Sequence, residues 1–179
     1  MLDHHDHDHQ KCHDDALRRA EARCQAEGLR LTAQRRQVLD IMLESHAPIT
    51  AYEIIDRIAA VARRPSPISV YRALDFLVAN HFVHRIESRN AFLACSHDHG
   101  PASADREPVL MFLLCEACGA AIEAEPPALT SLISDVSAAA GFTVTSSVLE
   151  IRGLCASCRT AGRHAPHATP HADDHEDHP

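Results

Sequence analysis

The chain contains no tryptophan, and aromatic residues make up only 4% of its 179 positions. Its cores must therefore be filled by aliphatic side chains, and a hydrophobic content of 45% is enough to build them. No apolar run approaches the ~18 residues of a membrane span. The longest, Val109-Leu-Met-Phe-Leu-Leu-Cys115, has the length of a single strand. The N-terminus lacks a basic region followed by an apolar stretch; it is acidic and His-rich, so a secretory signal is not expected. Seven cysteines, an odd number with no signal, read as cytosolic thiols and metal ligands, not as disulfides. The expectation is a cytoplasmic protein with no membrane partner.

A net charge of −8 argues at first against nucleic acid. Its distribution argues the other way. Residues 1–15 carry five acids and one base, residues 16–95 carry eight acids and twelve bases, and residues 96–179 carry twelve acids and four bases. The three segments have net charges of −4, +4 and −8, so only the middle one is suited to docking on phosphates.

Two C-x-x-C pairs stand out: Cys115-Glu-Ala-Cys118 and Cys155-Ala-Ser-Cys158. A two-residue gap lets both sulfurs of a pair face one ion, and two pairs supply the four thiolates of a tetrahedral structural zinc site. Gly119 follows the first pair, where a tight knuckle calls for positive φ. The 36 residues between Cys118 and Cys155 are enough for a helix and a strand, so the zinc is expected to pin a small α/β unit.

The rest of the chain reads as a winged helix-turn-helix ahead of that unit, an α+β protein as a whole. Residues 1–13 and 160–179 are His-rich, low-complexity tails expected to be disordered. Asp14 or Asp15 can cap a first helix running to about Gly28, with Leu17, Ala20 and Cys24 as its apolar stripe. Thr32 caps a second helix that buries Val38, Leu39 and Met42. Thr50 and Glu53 form a capping box for a third, buried through Ile54, Ile55 and Ile58. Ser66-Pro67 opens a fourth, with Val70, Leu74, Leu77 and Val78 inward and Ser69, Tyr71, Arg72 and Asp75 outward. Phe82–Ile86 and Ala91–Cys95 alternate around Ser88-Arg89-Asn90 as a β-hairpin. Domain boundaries are expected at 14–95 for the winged helix, 96–108 for a hinge and 109–159 for the α/β unit. Within the latter, strands are expected at 109–115, near Ala120–Ile122 and at 142–152, with a helix from about Pro127 to Ala140.

Thr32-Ala-Gln-Arg-Arg36, Tyr52 after a helix cap, Val70-Tyr-Arg-Ala-Leu74 in the presumed recognition helix, Phe82-Val-His84 entering the wing and the two C-x-x-C pairs occur together. In this combination the chain resembles the ferric-uptake-regulator family of metal-dependent repressors over roughly residues 16–158. Val70–Leu77 and Phe82–Ser88 carry a closer likeness to its zinc-uptake branch. The resemblance implies a homodimer that binds a palindromic double-stranded DNA operator, with the α/β unit serving for dimerisation. It implies no enzyme activity, and two zinc ions per subunit, one structural and one regulatory that acts as co-repressor of zinc-uptake genes. Iron regulators of the family place histidines on the strand before the first C-x-x-C; here that strand offers no ligand. Other donors are needed: His84 and Cys95 across the wing hairpin, His97 or His99 in the hinge, and Glu123, where the family supplies a carboxylate. A tetrahedral set that includes a thiolate suits zinc better than ferrous iron or manganese.

Arg72 is the candidate for reading a base, because arginine pairs bidentately with guanine. Tyr52 and Tyr71 are candidates for thymine methyls or phosphates, Ser69 shares their face, and Arg35, Arg36, Arg63 and Arg64 are phosphate candidates. Two other readings stay open: a family member that senses iron, manganese or nickel, and a thiol redox protein that uses its C-x-x-C pairs.

Overall fold

Side-chain caps set the helices of the first unit. In the computed structural model, which describes residues 9–45, 47–95 and 109–164, Thr32 opens α2 (Ala33–Leu43) by accepting from the Arg35 N–H. Thr50 opens α3 (Ala51–Val61) through a complete capping box with Glu53. Ser66 opens α4 (Pro67–Ala79), with Pro67 in the first turn, where its missing N–H costs nothing. All three caps are those expected from the sequence. The inward faces meet as expected too: Val38, Leu39, Met42, Ile54, Ile55, Ile58, Val70, Leu74 and Leu77 are buried in one aliphatic cluster. Val78 only packs against its edge.

The first helix departs from expectation. α1 spans His9–Ala26, so Asp14 and Asp15 lie inside it and cap nothing. No glycine or proline interrupts residues 9–13, and Arg18 reaches back to pair with Asp15 one turn earlier. Helix thus extends into a segment expected to be tail. Leu17, Ala20 and Cys24 are buried as expected. The remainder of both tails, residues 1–8 and 165–179, lies outside the described residues, as does the whole 96–108 linker.

After α4 the chain forms the hairpin of β1 (Val83–Ile86) and β2 (Ala91–Ala94), paired antiparallel with His84 opposite Leu93. Its tip is a short 3₁₀ turn, Glu87–Arg89, closed by Asn90 in the left-handed region that asparagine tolerates. Ile49 pairs with Phe92 as an isolated bridge, which ties the hairpin to the helices.

The second unit is a three-stranded sheet in the order β4-β3-β5. β3 (Leu110–Cys115) lies antiparallel to β4 (Ala121–Ala124) and parallel to β5 (Val148–Gly153). α5 (Pro127–Ala139) is the crossover between β4 and β5. The third strand begins later than the expected residue 142. β5 joins at Val148 opposite Leu110, where β3 itself begins, so residues 142–147 have no strand to pair with. A short helix not foreseen in the sequence, α6 (Ala156–Thr160), starts at Cys155, whose sulfur accepts from the Cys158 N–H as a cap.

One cross-strand row positions everything that follows. Phe112, fully buried on the central strand, stands in register with Glu123 on one side and Glu150 on the other. Residues in register share a sheet face. That face packs against the hairpin through Ile86, Leu93, Phe112, Leu114 and Ala121. The wing of the first unit therefore lies on the sheet of the second.

Candidate metal centres and nucleic-acid interface

Cys115 ends β3, Cys118 lies in the turn that follows it, and Cys155 and Cys158 flank the start of α6. Gly119 makes the knuckle turn possible at φ +80°, as its place in the sequence suggested. The four sulfurs lie within 4.8 Å of one another, with Cys118 and Cys155 3.9 Å apart. Four sulfurs at ~2.3 Å from a tetrahedral centre sit about 3.8 Å apart, so the arrangement fits zinc. Burial raises the Cys115 thiol, but N–H groups of Cys155, Cys118 and Ala117, with the Cys118 thiol, outweigh it and hold the pKa at about 6. Burial, then its three sulfur neighbours, push Cys158 up to about 12. Four thiolates in one place repel one another, and a divalent cation removes that repulsion.

A second cluster bridges the two units. His84 on β1, Cys95 just past β2 and Glu123 on β4 place one donor atom each within 4.8 Å of the others. His84 Nε2 lies 3.0 Å from Glu123 Oε1, and the Cys95 thiol lies 3.7 Å from the same oxygen. Tetrahedral zinc would set these separations at about 3.3 and 3.5 Å. Both His84 and Glu123 are buried, an arrangement that charged or polar side chains adopt only with partners. The His84 ring packs on Phe112, with centroids 5.3 Å apart. His97 and His99 lie outside the described residues; the linker that carries them starts right after Cys95.

The residues expected from the sequence to meet nucleic acid divide into two groups. Arg72 and Tyr71 on α4 and Tyr52 on α3 are exposed, and the Arg72 side chain has no hydrogen bond or ion pair among the described residues. It lines a shallow cleft with Thr32, Gln34 and Ser66, where the starts of α2 and α4 converge. Arg63 is exposed as well; the remaining candidates are engaged within the chain. Ser69 donates to the Ser66 carbonyl at 2.7 Å and accepts from Gln34 Nε2 at 2.8 Å, so it holds α4 against α2. Arg35 lies over the Phe76 ring at 3.6 Å and donates to the Arg30 carbonyl. Arg36 pairs with Glu21 of α1 at 2.7 Å, and Arg64 with Asp56 at 2.9 Å. Gln34, which makes the link between helices, sits inside the Thr32–Arg36 motif, but only the packed structure shows its role.

The family model for the ferric uptake regulator family matches residues 26–152. The chain belongs to the ferric uptake regulator family. It is 35% identical over 142 residues to the zinc uptake regulation protein of Escherichia coli K12, covering 79% of this chain and 80% of that protein. Among solved structures, it is similar to a zinc uptake regulator in complex with zinc and DNA, at a TM-score of 0.77 and 32% identity, over 84% of this chain and 97% of that one. It is also similar to holo XcZur, at a TM-score of 0.69 and 41% identity, over 80% and 96% of the two chains. Winged helix, cysteine knuckle and bridging cluster thus occur here in a chain of a family of transcriptional regulators.

Proposed function

We propose that the protein is a zinc-responsive, DNA-binding repressor of zinc-uptake genes, with zinc as co-repressor. The observation that carries this reading is the His84, Cys95 and Glu123 cluster, which joins wing to sheet and is separate from the cysteine knuckle. A donor set that includes a thiolate selects zinc over manganese or ferrous iron, and relatives named for zinc uptake support the same choice. The count is two zinc ions per subunit. Cys115, Cys118, Cys155 and Cys158 hold the structural one. His84, Cys95, Glu123 and either His97 or His99 hold the regulatory one.

Zinc, when bound, supplies positive charge that draws donors from both units together. His84 and Cys95 then fix the wing, and through it α4, against Glu123 of the sheet. Arg72, Tyr71 and Tyr52 present the DNA-reading face, and Arg63 faces solvent nearby as a phosphate contact. Arg35 and Ser69 line the same cleft as Arg72 and are held there by contacts within the chain, and Arg36 is tied to α1 through Glu21. The boundaries follow: a winged-helix unit to residue 95, a hinge at 96–108 and a dimerisation unit at 109–159. A second copy of the chain fits the sheet unit's outer surface. β5 is an edge strand, α5 contributes no buried residue, and Leu132, Val136, Phe142, Val148 and Ile151 are exposed. Paired units would set two recognition helices against a palindromic operator. Among the described residues, no helix is long and apolar enough to cross a membrane, which accords with a cytoplasmic regulator. Four sulfurs converging on one centre argue against a thiol oxidoreductase and for a non-enzymatic role.

The test is operator binding titrated against buffered free zinc, iron and manganese. Zinc is expected to promote binding at the lowest free concentration. Promotion by iron or manganese at concentrations where zinc is inert would reject the zinc assignment in favour of another metal.

A further inference from the structure

The bridging cluster grips the hairpin only at its base, where β1 begins and β2 ends. The tip, some way along the same face, is held by a second set of contacts that uses no metal donor. Glu150, at the far end of the Glu123–Phe112–Glu150 row, accepts from the Glu87 N–H at 2.7 Å and from the Ser88 N–H at 3.1 Å. Arg89 donates from Nη1 to the Gly119 carbonyl at 3.0 Å and from Nη2 to the Cys115 carbonyl at 2.8 Å. Both carboxylate oxygens and two guanidinium nitrogens are used, in charge-assisted bonds of the stronger kind. Burial raises the Glu150 carboxyl, but Ser88, the Glu87 N–H and the Arg89 charge more than offset it and hold its pKa below the ordinary value. Between base and tip lie Ile86, Leu93 and Phe112. The wing is thus pinned to the sheet at both ends of one row, by a metal-donor cluster at one end and by an ordinary hydrogen-bonded clasp at the other.

We propose that Arg89 and Glu150 are positioning residues that set the free-zinc concentration at which the protein takes up operator DNA. This rests on the zinc-repressor reading above. The clasp holds the wing on the sheet without the regulatory metal, so it raises the fraction of chains in which His84 and Cys95 already face Glu123. A ligand whose competent state is populated in fraction f shows an apparent dissociation constant larger by 1/f. Weakening the clasp lowers f, so more free zinc is needed, yet saturating zinc restores the closed form. A residue that touched DNA would behave the other way: affinity would fall at saturating zinc and the zinc midpoint would stay in place.

The experiment compares wild type with Glu150→Ala, Glu150→Gln and Arg89→Lys, each first checked for dimer mass and knuckle zinc content. Operator binding is followed against buffered free zinc. Glu150→Ala is expected to raise the zinc midpoint about tenfold. Glu150→Gln, which keeps one acceptor, and Arg89→Lys, which keeps the charge, are expected to raise it less, and all should approach wild-type affinity at saturating zinc. Hydrogen exchange at the Glu87 and Ser88 amides reads the clasp directly. Protection should survive in Cys95→Ser and be lost in Glu150→Ala. An unmoved midpoint in folded, dimeric Glu150→Ala, or loss of that protection in Cys95→Ser, overturns the proposal. Absence of zinc-dependent operator binding in wild type would instead overturn the repressor reading itself.

Discussion

The two donor clusters differ in what they connect. Cys115, Cys118, Cys155 and Cys158 all belong to the second unit, and each is placed by an element of that unit. His84 and Cys95 come from the wing and Glu123 from the sheet, so their meeting depends on how the two units sit. A metal held within one unit stabilises that unit's fold. A metal held across two units biases their relative arrangement, the requirement for a ligand that shifts a population. On the proposed reading, zinc serves this chain in two separable roles because the two donor sets differ in what they connect.

Substitutions sharpen that contrast. Cys118→Ser carries the largest expected effect: loss of knuckle zinc, with collapse of the second unit or dissociation to monomers, read by metal analysis and light scattering. A stable dimer with full zinc content would erase the distinction between the clusters. Arg72→Ala, on the exposed face proposed to read DNA, is expected to lower operator affinity by ~1–3 kcal/mol while leaving binding to random DNA nearly unchanged. Equal losses on both DNAs would make Arg72 a phosphate contact only. Arg35→Ala removes the stack on Phe76 and should cost ~1 kcal/mol of stability in thermal unfolding. A large loss of affinity for every DNA with unchanged melting would return Arg35 to the phosphate contacts.

The pH response of the clasp is the smallest expected effect. Glu150 has a folded pKa below its ordinary value of 4.5. The stabilisation it gives is therefore present above the unfolded value and lost as pH falls through the lower folded value. The amide shifts of Glu87 and Ser88 should accordingly titrate only in acid, below the ordinary glutamate value, and Glu150→Gln should abolish that titration.

What was legible in the sequence follows the range of the interactions. Thr32, Thr50-Glu53 and Ser66-Pro67 are signals a few residues long, and all three mark helix starts in the structure. The cysteine pairs are equally local, and Gly119 marks its own turn. The start of α1 is not legible, because aspartate suits a cap but does not require one, and no glycine or proline stands upstream to break a helix. The residue roles were harder to read. Arg36 and Arg72 are both arginines on the basic segment, and only packing shows that one faces Glu21 and the other solvent. Glu150 reaches a wing 63 residues away in the chain, and no motif announces that contact. The register that aligns Glu123, Phe112 and Glu150 is set by strand pairing, and from the sequence only Glu123 was singled out.

The most direct test of the two-role account is Cys95→Ser, assayed for dimer mass, knuckle zinc and operator binding across buffered free zinc. The expected result is a folded dimer that retains its structural zinc and no longer gains operator affinity as zinc rises. A Cys95→Ser dimer that binds operator with the wild-type zinc midpoint would contradict it, leaving Cys95 a packed thiol and the bridging cluster without a sensing role.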